Sequence, residues 1–155
     1  GEDALSNLTK DGALKNLISS DGNYKIHSEI YDIPSPSIII SSTDGCFGYL
    51  PTPMHFESML LNCLDSSKNV MEWKENILLT LHKVAGDDAT MCLATFGYGS
   101  FSDLKSNLKG RYDEINRKYI IPLEDADDKL VKDYWDKYKR GYYSMLKKEY
   151  REMYL

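Results

Sequence analysis

A β-branched run that ends in an acidic turn constrains the fold of this chain most. Residues 37–45 read Ser-Ile-Ile-Ile-Ser-Ser-Thr-Asp-Gly. Three consecutive isoleucines predict a strand that is covered on both faces. Asp44 followed by Gly45 predicts a turn at the C-terminal end of that strand, where glycine lets the backbone turn away. The strand therefore delivers one carboxylate to the end of a sheet.

A second acidic turn has the opposite arrangement, with its carboxylates before a strand. Residues 86–94 read Gly-Asp-Asp-Ala-Thr-Met-Cys-Leu-Ala, so Asp87 and Asp88 precede a predicted strand over 89–96. Two strands that present aspartates at one sheet edge are suited to a hard divalent cation, because Mg²⁺ and Mn²⁺ prefer oxygen ligands. Metal binding is the first functional hypothesis.

Composition limits the other classes of function. The chain has 155 residues, 42% hydrophobic and 28% charged, which is typical of one soluble globular domain. A net charge of −5 does not favour nucleic-acid binding, and no apolar run approaches the roughly 20 residues of a membrane span. The three cysteines form no Cys-x-x-Cys pair, which favours a reducing, cytoplasmic location. Because Gly1 is not preceded by methionine, a parent protein that begins upstream is expected.

Periodicity and capping signals predict an α+β chain. The first predicted elements are a strand at 24–31, a connection containing Pro34 and Pro36, and the strand 37–42. Helices at 53–64 and 69–84, capped by Thr52 and Asn69, and the strand 89–96 follow. After a glycine hinge at 97–100, the sequence predicts a helix at 101–121 broken at Gly110 and a last helix after Pro122 with a weak point at Gly141. The strands 24–31 and 37–42 are expected to pair antiparallel. Either Ser100 or Ser102 is expected to cap the helix after the hinge.

The order of these motifs resembles the metal-dependent protein serine/threonine phosphatases of the protein phosphatase 2C family. Residues 39–45 are similar to the family's strand ending in Ser-Asp-Gly, and Asp87-Asp88-Ala89-Thr90 is similar to its Asp-Asn-x-Thr or Asp-Asp-x-Thr motif. Two predicted helices lie between the motifs, as in the family. Residues 8–11, Leu-Thr-Lys-Asp, resemble a Leu-Thr-x-Asp element upstream. The resemblance covers about residues 5–96.

The resemblance implies a fold, an activity and a set of ligands. The family fold is an α-β-β-α sandwich whose two Mn²⁺ or Mg²⁺ ions activate a water that attacks the phosphorus of phosphoserine or phosphothreonine. Asp44 and Asp87 match metal-ligating aspartates of the family's C-terminal half. Gly45, Asp88 and Thr90 are implied as further ligands or as supports of the site. Gly48 stands where the family often has an aspartate for an accessory third metal.

The same resemblance predicts that this chain carries half of a sandwich. Residues 1–97 are expected to be the C-terminal part of the catalytic domain, and 98–155 a C-terminal α-helical extension packed on it. The family's N-terminal half supplies an Asp-Gly metal pair, another acidic ligand and a phosphate-binding arginine, and Asp3, Asp11 and Asp21 lack the strand context to replace them. The 155 residues are therefore expected to bind metal weakly and to catalyse poorly alone.

Other interpretations stay open. A non-catalytic phosphatase-like module would bind partners through its helical tail, and an unrelated α+β binding domain would carry the acidic turns by chance. Expected partners are a phosphoprotein substrate, the missing N-terminal half of the domain and a second copy bound through exposed helices, with no nucleic acid and no membrane.

The remaining candidate residues are given ordinary roles. His27, His55 and His82 show no metal spacing, and Cys46 is expected to be a small buried thiol.

Overall fold

A computed structural model describes residues 4–9, 22, 25, 28, 30 and 32–153 of the chain. This part is a mixed helix and sheet structure, 63% helical, with five helices and one two-stranded antiparallel sheet, and it agrees with the α+β prediction. The helices are α1 (Ala4–Thr9), α2 (Pro53–Ser66), α3 (Val70–Val84), α4 (Phe101–Ile115) and α5 (Asp128–Met153), and the strands are β1 (Ser37–Ser42) and β2 (Met91–Phe96).

The sheet joins the two strands that flank the acidic turns. β1 and β2 pair antiparallel, with Ser37 opposite Phe96 and Ser42 opposite Met91. The prediction that β1 is covered on both faces is wrong for the described residues, because Ile39 and Ile40 are 40% and 38% exposed. A two-stranded sheet has few neighbours to cover it, and only Ile38 of the three isoleucines packs against the core. A hydrophobic run alone did not reveal which face would be covered.

Helix α2 lies at the centre of the core. The i, i+3, i+4 spacing of apolar residues in α2 predicts one buried face, and Met59, Leu60, Cys63 and Leu64 on it are all below 8% exposure. Phe56, the first residue of this face, is only partly buried. Thr52 is the N-cap, since its hydroxyl accepts the backbone N–H of His55 at 3.4 Å, and Pro53 opens the first turn. The helix therefore begins where its sequence signals place it and ends two residues later than predicted.

Helix α3 packs on α2 and leads into the second acidic turn. Asn69 caps α3 by accepting the N–H of Glu72 at 3.0 Å, and Trp73, Ile77 and Leu81 are buried. The indole N–H of Trp73 donates to the carbonyl of Leu60 at 3.1 Å. This hydrogen bond between the helices satisfies the polar atom of a buried tryptophan.

The helices after residue 97 share the same core. Leu104, Ile115 and Trp135 belong to the buried cluster that contains Met54 of α2. The break predicted at Gly110 is absent, because α4 runs unbroken through it; an exposed helical glycine costs only about 1 kcal/mol, which packing can offset. The regular α-helix instead ends at Ile115. A π-helical segment at Asn116–Ile120 and a short 3₁₀ turn that contains Pro122 follow it.

Helix α5 is also continuous where a weak point was expected. It runs from Asp128 to Met153 through Gly141. Trp135 and Tyr138 stack with ring centroids 5.5 Å apart, and Tyr119 meets Tyr138 edge-on at 5.4 Å. The aromatic stripe near the middle of α5 therefore contributes to helix packing, which is the more common role for such a stripe.

The N-cap of α4 allows a test of the capping prediction, which named Ser100 or Ser102. The Ser100 hydroxyl accepts the N–H of Asp103 at 3.1 Å, whereas Ser102 is an exposed residue of the first turn. Ser100→Ala should lower the free energy of unfolding by about 1 kcal/mol, and Ser102→Ala should leave it nearly unchanged, as measured by urea denaturation. Equal effects of the two substitutions would contradict the assignment of Ser100 as the cap.

Some predictions lie outside the described residues. Most of the strand predicted at 24–31 falls there, and with it the pairing with 37–42, as do Asp3, Asp11, Asp21 and His27. The sandwich and the division at residue 97 stay predictions. In the part of the chain that the structure describes, no helix is both long and apolar enough to cross a bilayer.

Candidate functional site

The two acidic turns lie side by side at one end of the sheet. The pairing of β1 with β2 continues past the strand ends in the same register, because the N–H of Thr43 donates to the carbonyl of Thr90 at 2.9 Å. Two residues further along each chain segment, Gly45 lies against the backbone of Asp88. Asp44 and Asp87 thus belong to two neighbouring loops that the sheet register holds together.

Thr43 links the two loops through its side chain, a role that no sequence motif indicates. Its hydroxyl accepts the backbone N–H of Thr90 at 3.0 Å, a role that a backbone carbonyl would have in a regular ladder. The carbonyl of Thr43 instead accepts the N–H of Cys46 at 3.1 Å and starts the 3₁₀ turn at Asp44–Cys46. The side chain of Thr43 therefore lets the strand end and the turn begin without losing the link to the second loop.

Gly45 serves close packing between the loops. A Cβ on Gly45 would lie 2.9 Å from the carbonyl carbon of Asp88 and 3.2 Å from the Cα of Ala89. Its φ is not in the left-handed region, which among the described glycines only Gly22 and Gly97 occupy. Contrary to the prediction, glycine is therefore not needed at position 45 to turn the chain. It is needed because the second loop occupies the space that a side chain at this position would fill.

Cys46 adds a buried contact at the same place. Its side chain is 1% exposed, and its thiol donates to the carbonyl of Thr90 at 3.3 Å. The interpretation of Cys46 as a small buried thiol is confirmed by this burial. Thr90, which the resemblance implies as a ligand or a support of the site, contacts Thr43 and Cys46 through its backbone N–H and carbonyl groups.

The carboxylates of the two loops face solvent. Asp44, Asp87 and Asp88 are all exposed. The Oδ1 of Asp44 accepts the N–H of Gly45 at 3.0 Å, and the Oδ1 of Asp87 accepts the N–H of Asp88 at 2.7 Å. In each case the second carboxylate oxygen has no hydrogen-bond partner among the described residues. Each aspartate is thus oriented by its own turn and keeps one oxygen for another ligand.

This donor set has the right chemistry for Mg²⁺ or Mn²⁺ but is small. Exposed carboxylate oxygens are the ligands that both ions use. Within residues 32–153 and the other described positions, no group of three or more His, Cys, Asp or Glu side chains forms a metal site. Asp44 and Asp87 can therefore supply part of a coordination shell, which would need further oxygens from water or from another segment.

The histidines of known position have other roles. The Nδ1 of His55 lies 2.8 Å from the hydroxyl of Thr52 at the start of α2, and burial lowers the pKa of this imidazole. His82 is an exposed residue in the last turn of α3. Neither belongs to the acidic loops as a ligand.

No family model, curated protein or solved structure matches this chain. The resemblance to the phosphatase family thus depends on the two motifs and on their spacing. In the structure, the two loops that carry these motifs are adjacent.

Proposed function

We propose that this chain contributes Asp44 and Asp87 to a two-metal site that hydrolyses phosphoserine or phosphothreonine. The observation that carries this proposal is the continuous register from β1 and β2 into the acidic loops, marked by the Thr43–Thr90 hydrogen bond of 2.9 Å. The antiparallel pairing of β1 with β2 places the residues after β1 and those before β2 at one sheet end, so the two acidic motifs lie next to each other. Their order along the chain also matches that of the phosphatase family.

The chemistry assigned to these residues is that of ligands. Paired Mn²⁺ or Mg²⁺ ions supply an activated water and neutralise phosphoryl charge. Asp44 and Asp87 hold a free oxygen toward solvent, and the turns behind them fix the direction of each carboxylate. The remaining ligands and a cation for the substrate phosphate are proposed to come from the N-terminal half of such a domain. A phosphoprotein is the proposed substrate.

A Mn²⁺ titration of the 155-residue chain tests the ligand assignment. Paramagnetic broadening of backbone amide signals should be strongest at residues 44–46 and 87–90. Asp44→Asn and Asp87→Asn should each weaken binding about tenfold or more, since a lost carboxylate ligand costs at least about 1.4 kcal/mol. Asparagine retains the oxygen that accepts the turn N–H, so circular dichroism should show an unchanged fold.

Asp88→Asn is the matched control because it removes the same charge one residue away, at a position where the family often has asparagine. It should change the Mn²⁺ affinity much less than Asp87→Asn. In the enzyme that contains this chain, Asp44→Asn and Asp87→Asn should abolish Mn²⁺-dependent hydrolysis of p-nitrophenyl phosphate. Retained hydrolysis, or no broadening near either loop, would refute the proposed ligands.

A non-catalytic interaction module is the second candidate, and the surface of α5 favours it. Tyr143 and Met145 are 64% and 39% exposed on that helix, and exposed apolar surface of this kind often marks a contact with another chain. This candidate predicts no Mn²⁺ binding at the acidic loops. The same titration therefore separates the two proposals.

A further inference from the structure

A third contact joins the two acidic loops, and it involves an aromatic ring. The chain leaves Asp44 through a tight succession of turns, in which the carbonyl of Asp44 accepts the N–H groups of Phe47 and Gly48 at 3.0 and 2.6 Å. Because of these turns, the side chain of Tyr49 lies beside the second acidic loop. There its ring lies against Gly86, the residue directly before Asp87.

The contact is close enough that a side chain at position 86 would displace the ring of Tyr49. A Cβ on Gly86 would lie 2.8 Å from Cε1 and 3.0 Å from Cζ of Tyr49. Gly86 follows Ala85, the C-cap of α3, whose N–H donates to the carbonyl of Leu81 at 2.8 Å. Gly86 also lies outside the left-handed region. Its lack of a side chain is thus explained by the aromatic ring above it.

We propose that Tyr49 is a positioning residue, which holds the loop of Asp87 against the loop of Asp44 and, given the function proposed above, thereby sets the affinity of the site for Mn²⁺. Tyr49 is 50% exposed, so it does not act as a core residue. The inner links, Thr43 with Thr90 and Gly45 with Asp88, lie on the strand side of Asp87. The ring of Tyr49 holds the loop on the other side of Asp87, where α3 ends.

Two substitutions separate the role of the ring from that of the hydroxyl group. The atoms of Tyr49 nearest the Cβ position at Gly86 are two ring carbons, Cε1 and Cζ, and the hydroxyl oxygen at 3.2 Å. Tyr49→Phe keeps these carbons and should retain the wild-type affinity for Mn²⁺. Tyr49→Leu removes the flat ring and should weaken Mn²⁺ binding about tenfold, in the range found when a group that orients a metal ligand is lost. Tyr143→Leu, a change at an exposed tyrosine of α5, is the matched control and should have no effect.

A double-mutant cycle gives the most direct test. Gly86→Ala should push the ring away and should reproduce the effect of Tyr49→Leu. Because both substitutions break the same contact, the double variant should bind Mn²⁺ about as well as either single variant, whereas independent effects would multiply. Multiplied losses would show that Tyr49 and Gly86 act separately and would overturn the inference.

A measurement without metal distinguishes this inference from the proposed function. Hydrogen exchange of the Asp87 and Asp88 amides, and the nuclear Overhauser effect between Gly45 and Asp88, report whether the loops stay together. Tyr49→Leu should accelerate that exchange and weaken that effect, while the global unfolding midpoint changes little. If wild-type protein shows no Mn²⁺ broadening but these loop signals still depend on Tyr49, the function fails and the positioning role stands. If Mn²⁺ binds and neither it nor the loop signals respond to Tyr49→Leu, the positioning role is refuted.

Discussion

Replacing Glu57 by alanine should lower the free energy of unfolding by about 3 kcal/mol, because it removes the two shortest charged hydrogen bonds of the largely buried Arg111 guanidinium and leaves it only the 3.2 Å ion pair with Glu114. Arg111 donates to both oxygens of Glu57, at 2.6 and 2.8 Å. The hydroxyl of Tyr138 donates to the same carboxylate at 2.5 Å. One side chain of α2 therefore binds a residue of α4 and a residue of α5.

The charges in this network are well shielded from water. The side chains of Arg111 and Glu57 are only 21% and 22% exposed. Burial raises the pKa of the Tyr138 phenol, and the nearby charge of Glu57 raises it further. Burial alone would lower the pKa of Arg111, but its hydrogen bonds to Glu57 hold that pKa above the usual range. Both groups thus keep their protons at neutral and moderately alkaline pH.

Urea denaturation with three variants tests the role of Glu57. Glu57→Ala should show the full loss, whereas the double variant Glu57→Leu with Arg111→Met should lose much less, because no unpaired charge is then buried. Lys109→Met is the control, since it breaks the exposed 2.9 Å ion pair with Asp113 and should not shift the midpoint measurably. A Glu57→Ala variant as stable as the control would contradict the network's importance.

The elements that could be predicted from sequence are those that depend on neighbouring residues. The caps Thr52 and Asn69 and the apolar spacing of α2 and α3 act within a few residues. Local signals of this kind need no knowledge of the tertiary structure. The adjacency of the acidic motifs was predicted on other grounds, from the expectation that two strands present aspartates at one sheet edge.

The features that were missed depend on residues far apart in the chain. Glu57 meets Tyr138 across 81 positions, and no short-range pattern marks either residue as a partner. The exposure of Ile39 and Ile40 depends on how many strands the sheet has. Gly86 has a sequence context that is typical of a helix end, and only its contact with Tyr49 reveals its structural role.

Two glycine substitutions should have opposite effects on stability. Gly45→Ala places a methyl group against the backbone of Asp88, 2.9 Å from its carbonyl carbon. Backbone atoms cannot rotate away as a side-chain tip can, so the loops must separate or distort. We expect a loss of about 3 kcal/mol in the free energy of unfolding, the upper range for an overpacked site. Mn²⁺ broadening at residues 87–90 should fall with it.

Gly110→Ala is the matched control, with the same added methyl group in open space. No atom lies within 4 Å of the Cβ position at Gly110, near the middle of α4. Alanine there should raise the free energy of unfolding by about 1 kcal/mol, because it restricts the unfolded chain and favours the helix. Thermal or urea denaturation of the two variants measures both effects. If Gly45→Ala were as stable as Gly110→Ala, the two acidic loops would not be in backbone contact, and the geometry that supports a shared metal site would be wrong.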